Sequence, residues 1–81
     1  MLVTVRLFAV LRDRAGVAEV PLELPDVATV THVRSGVAAQ YPELTDLLAR
    51  SAVAVNQSYA PADTPVRPGD ELALIPPVSG G

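Results

Sequence analysis

Glu71-Leu72-Ala73-Leu74-Ile75, running into Pro76-Pro77-Val78-Ser79-Gly80-Gly81, is the stretch that decides the fold. Leu72 and Leu74 share one face and Glu71, Ala73 and Ile75 the other, the period of a half-buried strand. Arg67-Pro68-Gly69-Asp70 leads into it as a type II turn, with proline second and glycine third. Pro76 and Pro77 end it, since consecutive prolines favour a stiff, extended exit and allow no helix. Such a strand needs a partner. Leu2 to Phe8 offers the same alternation, with Val3, Val5 and Leu7 on one face and Leu2, Thr4, Arg6 and Phe8 on the other.

The segments between these two strands set the topology. Ala9 to Ala15 reads as a short helical turn that Gly16 can cap. Glu19 to Leu24 alternates with Val20, Leu22 and Leu24 inward, and Pro21 makes it an edge strand because proline has no amide hydrogen to donate. Thr29 can cap a helix whose stripe is Val30, Val33, Val37, Ala38 and Tyr41, ended by Pro42. Gly36 weakens that helix by about 1 kcal/mol relative to alanine, so packing has to hold it. Leu44, Leu47 and Leu48 suit one further turn on the core. Ala52 to Val55 is another strand with Val53 and Val55 inward. Asn56-Gln57-Ser58 makes a tight turn, because asparagine tolerates positive φ, and Tyr59-Ala60 is briefly extended. The order β, β, α, β, short β, β describes an α+β fold of the β-grasp type: a mixed sheet of four to five strands with one main helix. A right-handed crossover sets the last strand parallel to the first, so the tail leaves from mid-sheet. Residues 1–75 form the expected domain and residues 76–81 its extended C-terminal tail.

Composition narrows the function. With 49% hydrophobic and 19% charged residues the chain is expected to be globular rather than disordered. A net charge of −3 with scattered arginines lacks the basic patch that nucleic acid requires. No apolar run is long enough to span a membrane, and no secretory signal is evident, so a cytoplasmic location is expected. The chain has no cysteine and a single histidine, so no metal site is expected; His32, in the first helical turn, suits a surface or capping role. No serine has a histidine near it in sequence, and no phosphate loop or dinucleotide fingerprint occurs. The chain carries no catalytic side-chain set of its own.

Two features remain. Gly80-Gly81 is a pair that chance places at the end of roughly one chain in two hundred. Two readings stand: a frayed terminus, or a thin thread that enters a partner's active site and offers its carboxylate for reaction. The stiff Pro76-Pro77 spacer, with Val78 and Ser79 between, favours the thread because it projects the carboxylate and lowers the entropy lost on docking. Lysine is absent altogether, so an activated carboxylate would meet no side-chain amine within the chain; a compositional bias explains the same fact. The second feature is strand parity. Phe8 and Ile75 fall on the face away from the helix, as neighbours if their strands are adjacent and near Tyr59, and exposed apolar clusters mark partner surfaces.

The residues Leu7-Phe8-Ala9-Val10-Leu11-Arg12-Asp13 with Gly16, Val55-Asn56-Gln57, and the whole block from Gly69 to Gly81 give the chain a recognisable pattern. It resembles the small subunit of molybdopterin synthase (MoaD), a family of ubiquitin-like sulfur carriers, over essentially its full length. Asp13 stands where glutamate is common, and Ile75 where an aromatic residue is often found. The resemblance implies that Gly81 is the reacting residue. A ubiquitin-activating-like adenylyltransferase would activate its carboxylate with its own ATP and magnesium, this chain binding no cofactor. A sulfur donor would then form a thiocarboxylate. The large subunit would receive the tail, Pro76 to Gly80 threading its site, and sulfur would pass to cyclic pyranopterin monophosphate to build the molybdopterin dithiolene. Alternatives are a sulfur carrier for thiazole synthesis, tRNA thiolation or cysteine synthesis, a ubiquitin-like protein modifier, or a plain interaction domain.

Overall fold

The computed structural model describes residues 1–77; Val78, Ser79, Gly80 and Gly81, all expected site residues, lie outside the described part. The elements are β1 (Leu2–Leu7), α1 (Ala9–Ala15), β2 (Glu19–Glu23), β3 (Ala28–Thr29), α2 (Val30–Gln40), a 3-10 turn (Pro42–Leu44), α3 (Thr45–Ala49), β4 (Ala52–Val55), β5 (Ser58–Tyr59), β6 (Pro65–Val66) and β7 (Leu72–Ile75). The main sheet has the order β2-β1-β7-β4-β5. β7 lies parallel to β1 and antiparallel to β4, and the other pairs in this sheet are antiparallel. This is the mixed sheet of a β-grasp, with the last strand in the middle.

Strand alternation sorts the side chains as the sequence requires. Val3, Val5 and Leu7 of β1, Val20 and Leu22 of β2, Val53 of β4, and Leu72 and Leu74 of β7 are all buried beneath the helices. They meet Leu11 of α1, Val30, Val33 and Val37 of α2, and Leu44, Leu47 and Leu48 from the turn and α3 in one core. Val55 is only half-buried, whereas Ala54 on the opposite face is buried at 5% exposure. Pro21 sits on the sheet edge as expected, and its carbonyl accepts from Gln40 Nε2 at 2.8 Å.

The punctuation is set by backbone angles. Gly16 closes α1 with φ 77°, and Gly69 takes φ 87° in the turn where the Asp70 amide donates to the Arg67 carbonyl at 3.1 Å. Asn56 and Gln57 both have positive φ, which matches the right-handed twist of a two-residue hairpin joining β4 to β5. Thr29 precedes α2 as its N-cap, and the Thr29 amide donates to Nδ1 of His32 at 3.0 Å, so the histidine serves in a capping box. A cation ties the helices together: Arg34 Nη1 donates to the carbonyls of Leu48 and, at 2.7 Å, Ser51, where α3 has run out of amide partners. Gly36 faces β2 so closely that a Cβ there would stand 3.1 and 3.2 Å from the two Leu22 methyls.

One element pair goes beyond the sequence reading. β3 and β6 pair as a second, two-stranded sheet, Ala28 opposite Val66 and Thr29 opposite Pro65. Each is two residues long, too short to show periodicity. The loop between β5 and β6 also supplies Thr64 and Ala62 carbonyls to the Val30 and Thr31 amides, which satisfies the start of α2.

Candidate partner-docking face

The helices cover one face of the main sheet, and the other carries a cross-strand row. Glu19 pairs with Arg6, Arg6 with Ala73, Ala73 with Ala54, and Ala54 with Tyr59, so one line of residues crosses all five strands. Two residues farther along, Ile75 lies opposite Ala52, and Phe8 follows directly after the Leu7–Leu74 pair. Because β1 and β7 run parallel, their C-terminal ends coincide and bring Phe8 level with Ile75.

The two alanines form a low floor, and larger residues rise around it. Phe8, Ile75 and Tyr59 wall an open depression of about 320 Å³, with Arg6 on one flank and Glu71 and Gln57 on another. Phe8 is 41% exposed and Tyr59 73%, while Ile75 is half-buried. The structure thus brings together Phe8 and Ile75, expected from parity, with Tyr59, expected near them. Sequence reasoning missed the alanine floor and the polar flanks. Ala73 already had the outward parity, but its pairing with Ala54 depends on strand order, which no local pattern encodes.

One end of the face is held by a polar knot. Asn56 Oδ1 accepts from the Glu71 amide at 2.9 Å, its Nδ2 donates to Asp70 Oδ1 at 3.1 Å, and Gln57 Nε2 donates to Glu71 Oε2 at 3.3 Å. Asp70 Oδ2 also accepts from the Arg67 amide at 2.8 Å. That backbone bond, helped by the Asn56 amide, holds the Asp70 carboxyl below its ordinary range. The knot fixes the β4–β5 turn against the start of β7 and so sets where Tyr59 stands.

The other end is the exit. β7 stops at Ile75, Pro76 is buried and Pro77 is exposed. Pro76 has no amide hydrogen to extend the ladder, so the chain leaves the sheet beside Phe8 and Ile75. Among the described residues, no group of three or more His, Cys, Asp or Glu is placed to hold a metal ion. No helix among the described residues is long and apolar enough to cross a membrane.

Comparison with known proteins places this geometry in a family. The model of the ThiS family matches residues 5–81, all but the first four residues. The chain belongs to the ThiS family. Within reach of that family match, a Chlamydomonas reinhardtii protein named molybdopterin synthase sulfur carrier subunit is 39% identical, the alignment covering 100% of each chain. The full-length resemblance drawn from Leu7 to Asp13 with Gly16, from Val55-Asn56-Gln57 and from Gly69 to Gly81 agrees with both matches. The crystal structure of SAMP1 from Haloferax volcanii, a small archaeal modifier protein, superposes with a TM-score of 0.88 at 30% identity, covering 100% of both chains. A complex of subunits 1 and 2 of molybdopterin-converting factor from Helicobacter pylori contains a chain matched at TM-score 0.70 and 27% identity, again over 100% of each. Both structural likenesses agree with the β-grasp topology.

Proposed function

We propose that this chain is the sulfur carrier subunit of a molybdopterin synthase, with Gly81 as its reacting residue. The observation that carries the reading is the delivery of Pro76 and Pro77 by the middle strand β7, at the edge of the face that holds Phe8, Ile75 and Tyr59. A partner gripping that face has the Val78-Ser79-Gly80-Gly81 sequence within a few residues of its grip. The full-length likeness to a protein named for sulfur carriage supports the same reading.

The chemistry follows from what a carboxylate lacks. Its oxygen is a poor leaving group, so an adenylyltransferase first joins the Gly81 carboxylate to the α-phosphate of ATP and releases pyrophosphate. Hydrosulfide released by a sulfur donor then attacks the acyl carbon, AMP leaves with the bridging oxygen, and loss of the S–H proton gives the thiocarboxylate. The large subunit receives the tail, and the thiocarboxylate sulfur displaces an oxygen substituent from a carbon of cyclic pyranopterin monophosphate. Water then cleaves the acyl–sulfur bond, which leaves the sulfur on the pterin and restores the Gly81 carboxylate. Two such deliveries build the dithiolene. Glycine at 80 and 81 keeps the thread narrow enough to enter both partner sites. ATP and magnesium belong to the activating partner. This chain contributes the thread and the face that docks it.

The test is an intact-mass measurement after incubation with the adenylyltransferase, ATP and a sulfur source. The mass should rise by the difference between one sulfur and one oxygen, and adding large subunit with pterin precursor should then yield dithiolene product. An unchanged mass with an active ATPase would sink the reading. Thiocarboxylate without dithiolene would assign the sulfur to another pathway. Likeness to SAMP1 favours one second reading, a protein modifier, which the same incubation with a lysine-bearing acceptor protein would reveal as a conjugate. The lysine-free sequence leaves no side-chain amine for chains of the modifier to grow on.

A further inference from the structure

Ala9 has φ 49°, in the left-handed region that L-residues other than glycine seldom adopt. It is exposed, so its methyl is not there to fill the core. Strain of this kind persists where the surroundings over-determine it, and it gathers at sites where geometry matters. The neighbours of Ala9 show what it reconciles. Phe8, which follows β1 and caps α1, is still extended, with φ −121° and ψ 154°, and lines the depression on the outer face. Leu11, three residues later, is fully buried in the core on the opposite side. Between them the chain must leave the strand and start α1, whose first turn hangs on the Phe8 carbonyl: the Leu11 amide donates to it at 3.1 Å and the Arg12 amide at 3.4 Å. The Leu7 amide is held meanwhile by the Ala18 carbonyl at 2.8 Å. The reversal therefore has one residue of freedom, and Ala9 supplies it.

We propose that Ala9 is a positioning residue for partner docking. Its left-handed backbone lets Leu11 anchor the helix while Phe8 stays on the outer face, fixed in direction, as a wall of the depression with Ile75 and Tyr59. The proposal rests on the reading that this face docks the large subunit. A docking aromatic held in one direction loses less freedom on binding than one that swings, and that difference appears in affinity.

The test uses the full chain and the large subunit, with Kd measured by calorimetry. Ala9→Val places a β-branched residue where left-handed backbone is least tolerated, and Kd should rise about tenfold. Ala9→Gly, which accepts that backbone freely, should bind as the parent does. Phe8→Ala should weaken binding as well. Combined with Ala9→Val it should add little more, because the two act through one contact. Should Ala9→Val bind normally while Phe8→Ala is weak, or should the two losses add in full, the role assigned to Ala9 is wrong. Should Phe8→Ala bind normally, the docking-face reading fails first and takes this proposal with it. Should Ala9→Val fail to fold, the Phe8 side-chain couplings of the parent chain decide by NMR: a single χ1 rotamer supports the proposal and averaging among rotamers overturns it.

Discussion

Replacing Gly36 with alanine sets two known effects against each other at one atom. In an ordinary helix interior the change stabilises by about 1 kcal/mol, because glycine surrenders more backbone freedom on folding. Here the new Cβ would stand 3.1 and 3.2 Å from the Leu22 methyls, tighter than carbon atoms normally pack. Leu22 is 3% exposed and sits opposite Val3 in the β1–β2 ladder, so it has packed neighbours on its strand partner as well as on α2. Forcing extra volume into a close-packed site costs about 1–3 kcal/mol. The balance comes out against alanine, with Gly36→Ala less stable by roughly 1 kcal/mol, which lowers Tm by about 4–8 °C in a domain this small. Urea denaturation followed by far-ultraviolet circular dichroism measures it, with the slope m unchanged if only stability moves. In a Leu22→Ala background the obstructing methyls are gone, and Gly36→Ala should then stabilise. A Gly36→Ala chain more stable than the parent would refute the reasoning, since it would mean that Leu22 yields without cost.

Two further outcomes are expected. Arg34→Ala leaves the Leu48 and Ser51 carbonyls without their charged donor at the end of α3 and should cost about 1.5–3 kcal/mol in the same denaturation assay; a loss under 0.5 kcal/mol would show that water replaces the guanidinium. Asp70 has a carboxyl held below its ordinary 3.8, by the Arg67 amide first and the Asn56 side chain second. Because the folded value is the lower one, its stabilisation is present above 3.8 and fades as pH falls through the folded value. The stability gap between the parent chain and Asp70→Ala should therefore narrow on acidification from pH 6, and a constant gap would count against the assignment.

The readable parts of this molecule were those written in local pattern. Alternation in Leu2–Leu7 and Leu72–Ile75 fixed which side chains go inward, and Gly16, Asn56 and Gly69 marked turns because few residues accept positive φ. The parity argument also reached Phe8 and Ile75. What stayed hidden depends on which strands lie side by side. The Arg6–Ala73–Ala54–Tyr59 row joins β1, β7 and the β4–β5 hairpin, which lie far apart in sequence, and neither alanine signals a floor until its neighbours are known. The β3–β6 pair is too short to carry a period. Gly36 looked like a weak point in a helix, and only the position of Leu22 turns it into a close approach. Ala9 gave no signal at all, since alanine is the residue that a regular helix prefers.

The central place of β7 has a mechanical consequence. A force applied at Pro77 acts along the strand axis, against the ladder to β1 on one side and the ladder to β4 on the other. Bonds loaded that way resist together in shear, whereas a strand at the sheet edge peels away one bond at a time. A machine that grips residues beyond Pro77 and pulls thus loads two ladders at once, and the domain behaves as a cleat rather than as a thread that unravels.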